Sequence, residues 1–162
     1  MAEKTGIPIA TIFASVKFSH PTRHKPVTSI EEAKRRYRSL PHGSPQECEL
    51  ILEWIKLCTT PQEVRVLVLR YAPNKSFVQA YAMHRWRMLS SDEIRRATSR
   101  EQAMEAHANT PHNSPERSRA MRKWIHFCDR LDHLLEARKA TIRGSKEELM
   151  AVKKIVAFYE HA

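Results

Sequence analysis

Residues 28–58 read TSIEEAKRRYRSLPHGSPQECELILEWIKLC, and residues 98–128 read TSREQAMEAHANTPHNSPERSRAMRKWIHFC. The two stretches lie seventy positions apart and align without a gap. Thr28 falls on Thr98, Ser29 on Ser99, Glu31 on Glu101 and Ala33 on Ala103. Pro41, His42, Ser44 and Pro45 fall on Pro111, His112, Ser114 and Pro115. Trp54, Ile55 and Cys58 fall on Trp124, Ile125 and Cys128. A shift of thirty-two carries Pro41, Ser44 and Trp54 onto Pro73, Ser76 and Trp86. Periods of roughly 30–40 residues mark stacked helical repeats, in which one unit cannot bury its own apolar face and relies on its neighbours.

The punctuation inside the repeat is helical. Ser44-Pro45-Gln46-Glu47 and Thr60-Pro61-Gln62-Glu63 place a hydroxyl cap, Pro in the first turn and Glu three after the cap. Ser29, Ser76, Ser99 and Ser145 head similar boxes without Pro, and Ser114-Pro115 has Glu one position early. Turns follow at Leu40-Pro41-His42-Gly43, Ala72-Pro73-Asn74-Lys75, Thr110-Pro111-His112-Asn113 and Arg143-Gly144. These signals predict helices over 29–39, 44–58, 60–72, 76–89, 91–109, 114–128, 130–141 and 145–161. Residues 92–97 read as an extension of the fifth. Apolar stripes support them: Val64, Leu67, Val68 and Tyr71 at i, i+3, i+4 and i+7, and, at steps of three, four and three, Cys48, Ile51, Ile55 and Cys58 and also Leu149, Val152, Val156 and Tyr159. A strand within 8–18 is the one exception considered.

The expected fold is therefore all-α: four stacked helical hairpins in a short α-solenoid, over units 28–58, 59–90, 91–128 and 129–162. A basic, Pro-containing extension (1–27) precedes them. Ala72-Pro73-Asn74-Lys75-Ser76, following a helix rich in small and aromatic residues, resembles the inter-repeat turn of tetratricopeptide (TPR) proteins. Residues 59–72 are similar to the second helix of such a repeat. The three glycines, Gly6, Gly43 and Gly144, leave none at the close helix contact of that motif, and a HEAT-like repeat fits as well. The resemblance implies a right-handed superhelix that acts as a binding scaffold.

Composition narrows the function classes. With 162 residues, 41% of them hydrophobic, the chain is long enough for one domain with a sizeable core. No apolar run approaches the roughly 20 residues that span a bilayer. The apolar stretch 7–16 lacks a basic lead-in and is interrupted by Pro8, so it does not read as a secretory signal. Three cysteines, two of them repeat equivalents, suit a reducing, cytoplasmic location. The net charge is +10 and uneven. Eight basic residues stand against three acidic ones in 1–43, and eleven against seven in 114–162, while the middle is near balance. Such a surface attracts polyanions or acidic protein segments.

Individual motifs carry less. The Trp residues at 54, 86 and 124 recur at one repeat position, which favours core packing over a stacking ladder for bases. His42 and His112 recur inside a turn, which favours hydrogen bonding to the turn backbone. The His spacings match no metal-ligand pattern, and no phosphate-cradling loop, nucleophile elbow or His-Glu-x-x-His is present. No catalytic, metal or cofactor site is expected. The leading expectation is a non-enzymatic scaffold whose inner groove, lined by the first helix of each hairpin, binds an acidic segment of another protein. The candidate residues are Tyr37, Arg38, Arg65, Arg70, Arg100 and His107. The alternative is an RNA- or DNA-binding role, alone or within a ribonucleoprotein, through Lys25, Lys34, Arg35, Arg36, Arg38, Arg119, Arg122 and Lys123. The terminal hairpins must cap the stack. The charged fourth unit is expected to do so at one end, and residues 7–18 at the other. Deleting residues 1–27 is therefore expected to lower solubility or the melting temperature; a monodisperse truncated protein that melts unchanged removes this role.

Overall fold

The computed structural model describes residues 25–71 and 76–162. Among them are eight α-helices and no strand. In chain order these are α1 (Ile30–Ser39), α2 (Pro45–Leu57), α3 (Pro61–Arg70), α4 (Ser76–Arg96), α5 (Arg100–Asn109), α6 (Pro115–Phe127), α7 (Leu131–Ala140) and α8 (Lys146–Glu160). The extension up to residue 24, its candidate strand and the 72–75 turn lie outside the described residues.

Local chemistry sets the helix starts. The side chains of Ser29, Ser44, Thr60, Ser99, Ser114 and Ser145 each accept a hydrogen bond from the backbone N–H three residues on. This satisfies one of the N–H groups that a helix start leaves free, at about 1 kcal/mol per cap. At Thr60 the box is reciprocal, with Glu63 reaching back to the cap N–H. Glu32, Glu148 and Gln102 likewise hold the N–H groups of Thr28, Gly144 and Thr98. Between α1 and α2 the chain turns through Gly43 at φ +79°; its repeat equivalent Asn113 adopts φ +57°. Both occupy the left-handed region open mainly to Gly and, at small cost, Asn.

The starts of α1, α2, α3 and α4 recur seventy residues later as the starts of α5, α6, α7 and α8. The duplicated unit is thus a pair of hairpins. One boundary differs from expectation. Residues 92–96 belong to the end of α4, and the break falls at 97–99. Ser90 is wholly buried and cannot sit in a water-facing turn, whereas Ser99 supplies the cap. The longer α4 carries Ile94 to Ala106 and Ala120, where the two halves meet.

Each helix pairs with its hairpin partner: α1 with α2, α3 with α4, α5 with α6, and α7 with α8. The second helices also pack on one another as a continuous layer, α2–α4–α6–α8. No comparable contact joins α1 to α3, α3 to α5 or α5 to α7 among the described residues. The first helices therefore form the less closely packed side of the stack, where side chains such as Arg100 and Glu136 still meet. Trp54, Trp86 and Trp124, one on each of α2, α4 and α6, are buried in the packed layer, as core residues should be. Close approaches are made over Ala33, Ala82, Ala103, Ala106, Ala120, Ala137 and Ala151, all essentially inaccessible.

A recurrent contact closes the layer. Arg85 of α4 donates to the Cys58 carbonyl at the end of α2 (3.0 Å). Lys123 of α6 donates to the Ile94 and Arg95 carbonyls of α4 (2.6 and 3.1 Å). Lys154 of α8 donates to Ile125, His126 and Cys128 at the end of α6 (2.9, 2.8 and 2.7 Å). Each cation meets carbonyls at a helix C-terminus, the negative end of the helix dipole, and of these Ile125 also accepts from the Cys128 N–H.

In α8 the expected core stripe is displaced. Ala151 and Ile155 are the buried residues, while Leu149, Val156 and Tyr159 face solvent. The fourth unit does not present the polar end face that its charge suggested. Replacing Lys154 with Met is expected to destabilise the fold by about 1–2 kcal/mol, read from urea melts. The same change at the exposed Lys139 is expected to stay within about 0.5 kcal/mol.

Candidate interaction surfaces

Tyr37 and His107 occupy equivalent positions in the two halves, and both turn inward. The Tyr37 ring stands edge-on to Tyr71 and Trp54, with centroids 4.9 and 6.3 Å away. Its hydroxyl donates to Glu47 (2.9 Å). Burial, reinforced by Glu47, pushes that hydroxyl up to about 12. His107 lies buried against Trp124, with centroids 5.6 Å apart. Arg117, at the position of Glu47, donates to the His107 carbonyl (3.2 Å). The pair has thus been exchanged chemically while its packing is kept.

Arg100 bridges Glu136 of α7 (2.8 Å) and Glu101 (3.1 Å). Arg38, Arg65 and Arg70 are exposed and make no hydrogen bond or ion pair among the described residues. Of the six groove candidates, these three are available to a partner.

The polyanion candidates divide similarly. Lys34 pairs with Glu31, and Arg36 with Glu32 and the Lys25 carbonyl. Arg119 and Arg87 of α4 converge on buried Glu116 (2.8 and 2.9 Å). Burial alone would raise the Glu116 carboxyl, but hydrogen bonding to Arg87 and the charges of both arginines hold it below the ordinary carboxylate range. Arg122 pairs with Glu147 of α8 (3.0 Å), and Lys123 caps α4. Lys25, Arg35 and Arg38 remain as exposed cations at the start of the described chain.

One surface escaped the sequence reading. On α3 the core face is Val64, Leu67 and Val68, as the periodicity indicates. Val66 and Leu69 face solvent, at 46% and 65% exposure, flanked by Arg65 and Arg70. The available signal was negative: these two residues are apolar at positions that the core stripe does not use.

The other expected chemistry is structural. His42 faces Glu47 (Nδ1 to Oε1, 3.5 Å) rather than the turn backbone; the Gly43 N–H goes to Glu47 and the Ser44 N–H to the Pro41 carbonyl. Cys58 and Cys128 close α2 and α6 by donating Sγ–H to the Trp54 and Trp124 carbonyls (3.5 and 3.3 Å). Burial pushes the Cys58 thiol up to about 12 and raises that of Cys128. The His133 ring lies against Asp129 (3.1 Å), and the Cys128 Sγ–H also reaches the His133 carbonyl (3.5 Å). A cleft of about 360 Å³ between the α5–α6 and α7–α8 turns is lined by His107, Arg117, Met121, Ile142 and Glu147 among others. Among the described residues no three His, Cys, Asp or Glu side chains gather as a metal site, and no helix is long and apolar enough to cross a membrane.

Comparison with protein-family models, with curated proteins and with solved structures returns no match to this chain.

Burial, together with the charges of Arg117 and His112, pushes the His107 imidazole from 6.5 down to about 4. The folded state holds it neutral, while the unfolded chain takes up its proton near 6.5. The stability this group contributes is complete above that value and is lost as pH falls toward about 4, on the order of 3 kcal/mol in all. Urea midpoints measured across this range should therefore fall more steeply for the native protein than for His107→Phe, which keeps a ring against Trp124. Parallel pH profiles would show that His107 is not the responsible group.

Proposed function

We propose that the protein is a non-catalytic α-helical scaffold, TPR-like in architecture, that binds an acidic amphipathic segment of another protein along its first-helix face. The observation that carries this reading is the α3 surface, where exposed Val66 and Leu69 lie between exposed Arg65 and Arg70. Apolar side chains that exclude water from neighbouring charges are the common form of a protein-binding hot spot. A guanidinium beside them offers a carboxylate two parallel hydrogen bonds. Spacing at 65, 66, 69 and 70 presents one helical face, which suits a partner helix with Leu-type anchors and Asp or Glu at similar spacing. Arg38 on α1 adds to the charge of this side. A reducing compartment suits the three free thiols.

The nucleic-acid reading draws on Lys25, ahead of α1, and on Arg35 and Arg38 along α1, all three exposed. It is the weaker of the two, because Arg36, Arg119, Arg122 and Lys123 already have partners inside the fold. The test is affinity purification from the native cell, with and without nuclease, of the natural chain and of Val66→Asp/Leu69→Asp. Both replaced residues are exposed, so helicity by circular dichroism is expected to be unchanged. A protein partner that survives nuclease and is lost in the variant supports the scaffold. Nucleic acid that co-purifies equally with both proteins, with binding that falls steeply as salt rises, overturns it.

A further inference from the structure

The packed layer of second helices ends at α8, and its last face is uncovered. Leu149, Val156 and Tyr159 are 55%, 48% and 64% exposed, with half-buried Val152 between them. Their spacing of three, four and three residues puts all four on one side of the helix, as in the seam of a coiled coil. Ala151 and Ile155, on the adjoining side of the helix, hold it against the core. An apolar seam at the end of a helical stack calls for a further helix, because terminal units of such arrays are otherwise polar outside.

We propose that a second copy of this chain covers the seam, through an antiparallel pairing of α8 with α8 across a two-fold axis. Two features of the structure favour this occupant. The first is the mismatch of the other end. No large apolar residue of α2 is exposed. Residues 25–28 reach across to α2, with Val27 buried and its N–H donated to Glu53 (3.0 Å). Head-to-tail stacking of α8 onto α2 would therefore leave the seam without an apolar counterpart.

The second feature is charge. Antiparallel pairing with Val152 opposite Val156 of the other copy sets Leu149 near Tyr159. It also brings Lys146, at the start of α8, to Glu160, at its end, twice in the dimer. Both side chains are exposed and make no ion pair among the described residues. Lys153, near the axis, is exposed and long enough to turn its ammonium to water. The contact is self-complementary, so the assembly closes as a dimer and does not propagate. It extends the α2–α4–α6–α8 layer into a continuous double-length stack and leaves the α3 surface of each copy open.

Sedimentation velocity over a concentration series of the full chain tests the pairing. The natural protein is expected to pass from monomer to dimer. Leu149→Asp/Val156→Asp should retain helicity and weaken dimerisation by at least about a hundredfold, since it would bury unpaired carboxylates. Lys146→Glu and Glu160→Lys should each weaken the dimer a few-fold, and the two together should restore it. That restoration reports the antiparallel register even if the Asp variant fails to fold. A chain that stays monomeric throughout overturns the proposal. So does a dimer indifferent to the Asp pair, or a series of growing polymers.

Discussion

The second helix of each hairpin has to be covered on both flanks, and most of the structure follows from that. Helices α4 and α6 are sandwiched between neighbouring second helices while also packing on their hairpin partners. A helix enclosed in this way leaves the carbonyls at its C-terminal end short of water, and unmade hydrogen bonds of that kind cost about 1–3 kcal/mol each. The next helix in the layer supplies the missing donor: Arg85 for α2, Lys123 for α4, Lys154 for α6. These contacts fix how far each hairpin slides along the last. Apolar packing over alanines alone would leave that register loosely specified.

The same constraint changes the meaning of the charge. A net charge of +10 suggests a surface built for polyanions. Some of the cations are used inside the fold: three cap helix ends, and Arg87, Arg119 and Arg122 tie α4, α6 and α8 through Glu116 and Glu147. Among the cations left over, Lys146 and Lys153 stand on α8, and Arg38, Arg65 and Arg70 stand on the first helices α1 and α3. On α3 they are mixed with exposed Val66 and Leu69. A mixed apolar and basic face is better suited to a folded peptide than to a phosphate backbone, which needs charge without apolar anchors.

The readings that succeeded depended on near neighbours in sequence. A serine or threonine three residues before its partner N–H announces a helix start whatever lies around it, and all six caps with described side-chain bonds were legible in this way. The failures came where distant segments decide. The expected break at residue 90 is absent, because burial of Ser90 against the rest of the stack carries α4 through it. In α8 two apolar faces compete, and local periodicity cannot say which one meets α6. Tyr37 and His107 were expected to line the groove as residues of first helices; their packing against Trp54 and Trp124 follows from how each hairpin closes.

The duplication, the helical class and the hairpin order were determined by the sequence alone, since caps, turns and a seventy-residue echo are written in residues close to one another or in direct repetition. Only the tertiary structure decided which cations are spent inside the fold and which apolar residues remain outside it. Both outcomes depend on contacts between residues some 25–29 positions apart, as with Arg122 and Glu147 or Lys123 and Ile94. Which side chain meets which carbonyl at that distance is set by the angle and slide of one helix on another, and no local pattern encodes it.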